Sequence, residues 1–184
     1  MARTADPEQL TGEVIQLGTV AAVDYGAATC TVTIGDLVTG ELPWFAWSAG
    51  GVRIWAAPTP GEQGAVLCPE GDLDNGLFLP GIYSDAFAPP SNDPNVVHIQ
   101  MPDGAFIAYN HASHALTVTL PSGGTVTLDA PGGATINGDV TINGNVTIAG
   151  KAEASEDVVG GGISLKGHKH SAVAAGTAQS GGPV

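Results

Sequence analysis

Between positions 138 and 150 the chain reads Gly-Asp-Val-Thr-Ile-Asn-Gly-Asn-Val-Thr-Ile-Ala-Gly, and this stretch constrains the fold more than any other. Glycine returns at 138, 144 and 150, and Val-Thr-Ile returns at 140–142 and 146–148, a period of six. In each unit Val and Ile are two apart, so on a strand they share one face while Thr points away. Asn-Gly or Ala-Gly then turns the chain, since glycine takes positive φ without strain. Strands this short cannot bury an apolar face alone and must stack on copies of themselves. One chain holds too few clear repeats for a wide solenoid. Several identical chains wound together solve the problem, each supplying one wall of a narrow β-prism.

Looser forms of the same pattern extend back to residue 96. Val97, Ile99 and Met101 alternate, as do Leu116, Val118 and Leu120, then Val126 and Leu128, then Ile136. Pro102-Asp-Gly104, Pro121-Ser-Gly-Gly124 and Pro131-Gly-Gly133 supply turns between them. The last aromatic residue is Tyr109, and small aliphatic residues follow, as a narrowing shaft requires. In a three-chain prism, strands stack about 4.8 Å apart and some seventy residues would give a shaft of roughly 50–60 Å.

Residues 1–11 read as an arm in which Asp6-Pro7-Glu8 could start a short docked helix. Residues 12–84 read as a compact β-domain. Strands are expected at 13–23, at the alternating Thr-Cys-Thr-Val-Thr-Ile of 29–34, at 63–68 and at 76–83. Asp24-Tyr-Gly26 marks a turn, and the runs 42–47 and 52–56 flank Gly50-Gly51 as a hairpin. Five or six strands in about seventy residues, with a long first hairpin, suit a small Greek-key barrel of the oligonucleotide/oligosaccharide-binding type. Trp44, Phe45, Trp47 and Trp55 cluster here, and are read either as barrel core or subunit contact, or as a platform for stacking bases or sugars. The three prolines of 85–95 make that segment a linker.

Charge narrows the partners. A formal net charge of −13 repels phosphate backbones and argues against nucleic acid. Asp157 is the last acidic residue, and Lys166 and Lys169 make the C-terminal end weakly basic. No run of eighteen apolar residues is present to form a spanning helix, and the N-terminus reads as lacking a signal peptide. Cys30 and Cys68 lack a CxxC spacing and are read as two buried free thiols, with a disulfide between them as the alternative.

One cluster has the character of a metal site: Gly162-Ile-Ser-Leu-Lys-Gly-His-Lys-His-Ser171. On an extended strand His168 and His170 project to one side. If three chains share an axis, six imidazole nitrogens converge. Such a set suits octahedral iron, nickel or cobalt better than tetrahedral zinc. With every position filled by protein the ion is structural, clamping chain ends where the apolar core is thin. The alternative is two solvated histidines in a frayed end, and the neighbouring lysines mildly oppose a cation. His111 and His114 read as surface residues, and His98 should face outward. Gly160-Gly-Gly162 lacks the Gly-Lys-Ser/Thr of a phosphate loop, and no Gly-x-Ser-x-Gly nucleophile motif occurs.

Barrel, linker, hexad repeat and Gly-His-x-His before a Gly/Ala-rich end together resemble the baseplate assembly protein V family, the membrane-piercing spikes of contractile phage tails and R-type pyocins. The resemblance covers roughly residues 12–184 and is most specific at the hexads 138–142 and 144–148 and at Ile163-Ser-Leu165 leading into His168-Lys-His170. It implies an all-β homotrimer: an OB-fold-like barrel (12–84) that attaches to tail-hub and baseplate proteins, then the linker 85–95, an intertwined triple-stranded β-helix (96–166), and a metal-bound tip with its tail (167–184). It implies one structural iron ion per trimer held by His168 and His170 of each chain, mechanical contact with the bacterial outer membrane, residence in the virion or pyocin baseplate, and no enzymatic activity. A lysozyme domain, found in some such systems, has no room at 85–95. A receptor- or glycan-binding tail fibre is the competing role, with the tryptophans as its site.

Overall fold

The computed structural model describes residues 14–169 and Gly176. The expected helical start at Asp6-Pro7-Glu8 lies outside them, as do His170 and most of the tail. Among the described residues there is no α-helix; apart from the 3-10 turn Pro69–Gly71, every regular element is a strand.

The first strands are β1 (Ile15–Asp24), β2 (Thr29–Ile34), β3 (Leu37–Val38), β4 (Leu42–Pro43), β5 (Gln63–Leu67) and β6 (Leu77–Ile82). They form one sheet in the order β3-β2-β1-β5-β6, with β4 also paired to β2. The sheet closes on itself. Trp44, just past β4, bridges Phe78 of β6 in parallel, and Phe45 N–H donates to Phe78 C=O at 2.9 Å. The long β1 serves two partners, β5 along its first half and β2 along its second, with an irregularity between Val20 and Ala22 where the partner changes. Such a bulge bends a strand and lets a small barrel turn its corner.

Alternation puts Cys30 and Val32 of β2, Val66 of β5 with Cys68 just beyond it, and Val20, Leu42 and Phe78 into the interior. Val23, Ile34, Trp44 and Leu73 pack against them. Phe78 is fully buried. Its ring needs room. A Cβ on Gly64 would sit 2.5 Å from it and 2.4 Å from the Leu79 carbonyl oxygen, so only glycine fits there. Thr39, buried, satisfies its hydroxyl by accepting from Val32 N–H at 3.0 Å and donating to Gly40 C=O at 2.8 Å.

Both cysteines are buried and free, as read from the sequence. Burial, and secondarily the Glu62 charge, pushes the Cys30 thiol up to about 11. Asp24 makes its turn as expected, its carboxylate accepting from Gly26 N–H at 2.8 Å and Ala27 N–H at 3.0 Å.

Two expectations fail in this region. The hairpin about Gly50-Gly51 reduces to an Ala49–Arg53 bridge, with the Ile54 N–H donating to Ser48 C=O at 3.0 Å. Residues 44–57 otherwise form a loop, because the runs at 42–47 and 52–56 lack sustained β-branched alternation. The aromatic core is also smaller than expected. Trp44 packs on the core and meets Trp55 edge-on at 5.6 Å, whereas Trp47 is 90 % exposed.

After the linker come β7 (Val96–Gln100), β8 (Phe106–Asn110) and β9 (Ala115–Thr119), an antiparallel meander. No strand is expected from the sequence at Phe106–Asn110, and the three strands pair with one another within one chain. Val97 opposes Tyr109, Ile99 opposes Ile107, and Val118 and Leu116 continue those rows. All six lie on one face and all are exposed. His98 lies on the other face, half-buried and stacked on Phe106 with ring centroids 5.0 Å apart.

Residues 120–157 carry no strand. Their only backbone–backbone hydrogen bonds to each other are the turns Gly124 N–H to Pro121 C=O at 2.9 Å and Gly133 N–H to Ala130 C=O at 2.8 Å. Both turns fall where the Pro/Gly signals place them. Val126, Leu128, Ile136, Val140, Ile142, Val146 and Ile148 are exposed, Val126 at 79 %.

Candidate metal-binding apex

The C-terminal described residues fold into a small hairpin, β10 (Val159–Gly160) and β11 (Ile163–Ser164). Gly161 and Gly162 both have positive φ, 59° and 82°, which a two-residue hairpin turn matching the strand twist requires. The triple glycine is thus a turn device. Leu165 N–H donates to Val158 C=O at 2.8 Å and extends the pairing by one step.

Asp157 ties the open end of the hairpin. Its Oδ1 accepts from Val158 N–H at 2.8 Å and, across the hairpin, from Lys166 N–H at 3.0 Å. Hydrogen bonding, from Ser164 first and then from backbone N–H groups, holds the Asp157 pKa below the usual carboxylate range. The Ser164 Oγ in turn accepts from Gly167 N–H at 2.7 Å. The chain then makes one tight turn, with His168 N–H donating to Ser164 C=O at 3.1 Å.

That turn orients the His168 ring. Nδ1 lies 3.1 Å from the Ser164 carbonyl oxygen and 3.2 Å from that of Leu165. A carbonyl can only accept, so Nδ1 carries the proton, and in the neutral ring the lone pair is on Nε2. Metal-bound histidines are held in this way: one nitrogen donates to a carbonyl or carboxylate and the other ligates. The geometry at His168 therefore fits a ligand imidazole. Its sequence partner His170 lies outside the described residues. Among the described residues of one chain, no group of three or more His, Cys, Asp or Glu side chains gathers at metal-binding distances. His111 and His114 are exposed, in the turn between β8 and β9, as surface histidines should be.

Comparison with known proteins places both ends of the chain. Residues 16–83 match the type VI secretion system/phage-baseplate injector OB domain, the region that closes as β1–β6. Residues 162–184 match the GpV apex motif, which includes His168 and His170. The chain is also 38 % identical over 124 residues to the spike protein of Escherichia phage P2, a match spanning 64 % of this chain and 59 % of that protein. In these regions the chain is similar to phage baseplate spike proteins, and it spans about three fifths of the length of the spike protein it matches. The chain thus carries an injector OB domain match near its N-terminus and an apex motif match at its C-terminus, and the apex motif is in general a metal-binding tip.

The sequence flagged the histidine pair but passed over Asp157 and Ser164. Asp157 stood out only as the last acid of the chain. Its position two residues before a short strand that runs into a triple-glycine turn was the available signal, since Asp at such a place commonly caps nearby backbone N–H groups.

Proposed function

We propose that the chain works as a homotrimer forming the central spike of a contractile tail, which pierces the outer membrane of a target bacterium without catalysing a reaction. On this reading the barrel of residues 12–84 attaches to tail-hub proteins, residues 96–166 wind with two copies into a β-helical shaft beyond the linker 85–95, and residues 167–184 form the tip. The observation that carries it is the segment 120–157. It repeats Val and Ile at strand spacing, yet in one chain its described backbone has no ladder partner and its apolar side chains face solvent. Buried backbone groups need partners and apolar rows need cover, and two further copies supply both. The apolar face of β7–β9 asks for the same cover.

His168 and His170 of three chains would supply six imidazole nitrogens, and an iron ion there would act as a cross-link between chain ends. His168→Ala combined with His170→Ala should remove the metal, measured by elemental analysis, and loosen the tip, while leaving the oligomer intact by sedimentation. Full metal retention in that double variant would refute the ligand assignment.

The exposed Trp47 favours a second reading, a glycan- or receptor-binding tail protein. It requires saturable binding to lipopolysaccharide that Trp47→Ala abolishes. The spike reading requires none.

A further inference from the structure

The geometry points to Asp157 as a positioning residue for the tip metal: its carboxylate fixes the 164–168 turn whose carbonyls hold the His168 ring. This rests on the proposal that His168 is a ligand. The link runs through bonds already described. Asp157 Oδ1 accepts from Lys166 N–H and Leu165 N–H donates to Val158 C=O, so Leu165 and Lys166 are fixed to the segment that leads into β10, which begins two residues after Asp157. Ser164 Oγ holds Gly167 N–H at 2.7 Å, closing the turn from inside. The two carbonyls that receive the Nδ1 proton belong to Ser164 and Leu165, the residues so fixed. Without the carboxylate, Lys166 N–H loses its partner and the exit from the hairpin rests on the Leu165–Val158 bond and the Ser164 contacts alone.

Asp157 does not touch the metal on this account. It acts by lowering the number of orientations His168 samples, so that the Nε2 lone pair is already aimed when the ion arrives. Loss of a residue that orients a ligand typically weakens metal binding 10- to 100-fold. The carboxylate is exposed, and the backbone N–H groups of Val158 and Lys166 hold it in place.

The test uses the full-length protein loaded with iron and challenged with excess chelator. Asp157→Ala should release iron at least about 10-fold faster than wild type at unchanged sedimentation coefficient. Asp157→Asn, which keeps the Oδ1 acceptor for both N–H groups, should recover most of that loss. Ser164→Ala, a milder change, should fall between wild type and Asp157→Ala. A second readout is independent of metal: nitrogen-15 spectra of the metal-free protein should show His168 protonated at Nδ1 in wild type and a tautomer mixture in Asp157→Ala. If wild type holds no iron, the proposed tip fails and this inference with it. If wild type holds iron and Asp157→Ala releases it no faster, with the tautomer unchanged, Asp157 is only a hairpin cap and the inference alone is overturned.

Discussion

The barrel and the hexad segment are made from similar aliphatic residues and end up in opposite states. In the barrel, Val32, Val66, Leu42 and Phe78 are fully buried by strands of the same chain, and the sheet closes through the Trp44–Phe78 bridge. In the hexads, Val140, Ile142, Val146 and Ile148 alternate just as cleanly but stay more than half exposed. The difference lies in what each strand can reach. The main barrel strands, β1, β2, β5 and β6, run five to ten residues, and their connections return the chain beside itself. Val-Thr-Ile followed by Asn-Gly sends the chain onward, so it meets no strand of its own chain among the described residues, and on the proposed reading its neighbours come from other copies. One region completes its pairing within the chain, and the other, on the proposed reading, completes it in an assembly.

That contrast can be broken most forcefully in the hexads. Ile142→Asp with Ile148→Asp would place charges on the face that copies would share on the proposed reading, and buried unpaired charge is prohibitive. The expected outcome is loss of the oligomer by sedimentation, with the tryptophan fluorescence of the barrel unchanged. A monomeric variant whose barrel also melts would mean the two regions are not independent.

A smaller effect, confined to the other side of the comparison, is expected from Phe78→Ala. Removing a fully buried phenylalanine costs about 3–5 kcal/mol. Chemical denaturation followed by tryptophan emission should show the barrel transition at lower denaturant. The oligomer should survive under conditions where the barrel is folded.

The smallest effect sharpens the account of the barrel interior. Cys30 has its pKa raised from 9.0 to about 11, chiefly by burial. A thiol whose folded pKa is raised contributes stability that is fully present below pH 9 and is lost as pH rises toward 11. Barrel stability should therefore be flat in its Cys30 contribution up to pH 9 and fall above it. Cys30→Ser should shrink the fall, measured by denaturation at pH 8 and pH 10.5.

How far the sequence discloses this molecule follows the same division. The alternation of Thr29–Ile34, the run ending in Cys68 and the apolar Leu77–Ile82 segment announce barrel strands, because local pattern and burial agree there. The Gly50-Gly51 hairpin fails because two glycines permit a turn without supplying strands to flank it. β8 was overlooked because Phe106-Ile-Ala-Tyr-Asn is short and its inward face holds Phe106 and Ala108 instead of β-branched residues. At the tip, a His-x-His pair is visible to the eye, whereas the role of Asp157 depends on a hairpin bringing position 157 beside 166, a separation that no local pattern reports.

The central claim is that this chain completes its structure only with copies of itself. Sedimentation equilibrium of the purified full-length protein tests it directly. The account predicts a single species of three times the 18.3 kDa chain mass, unchanged on dilution. A folded species at 18.3 kDa, with the hexad segment protected from protease, would contradict it.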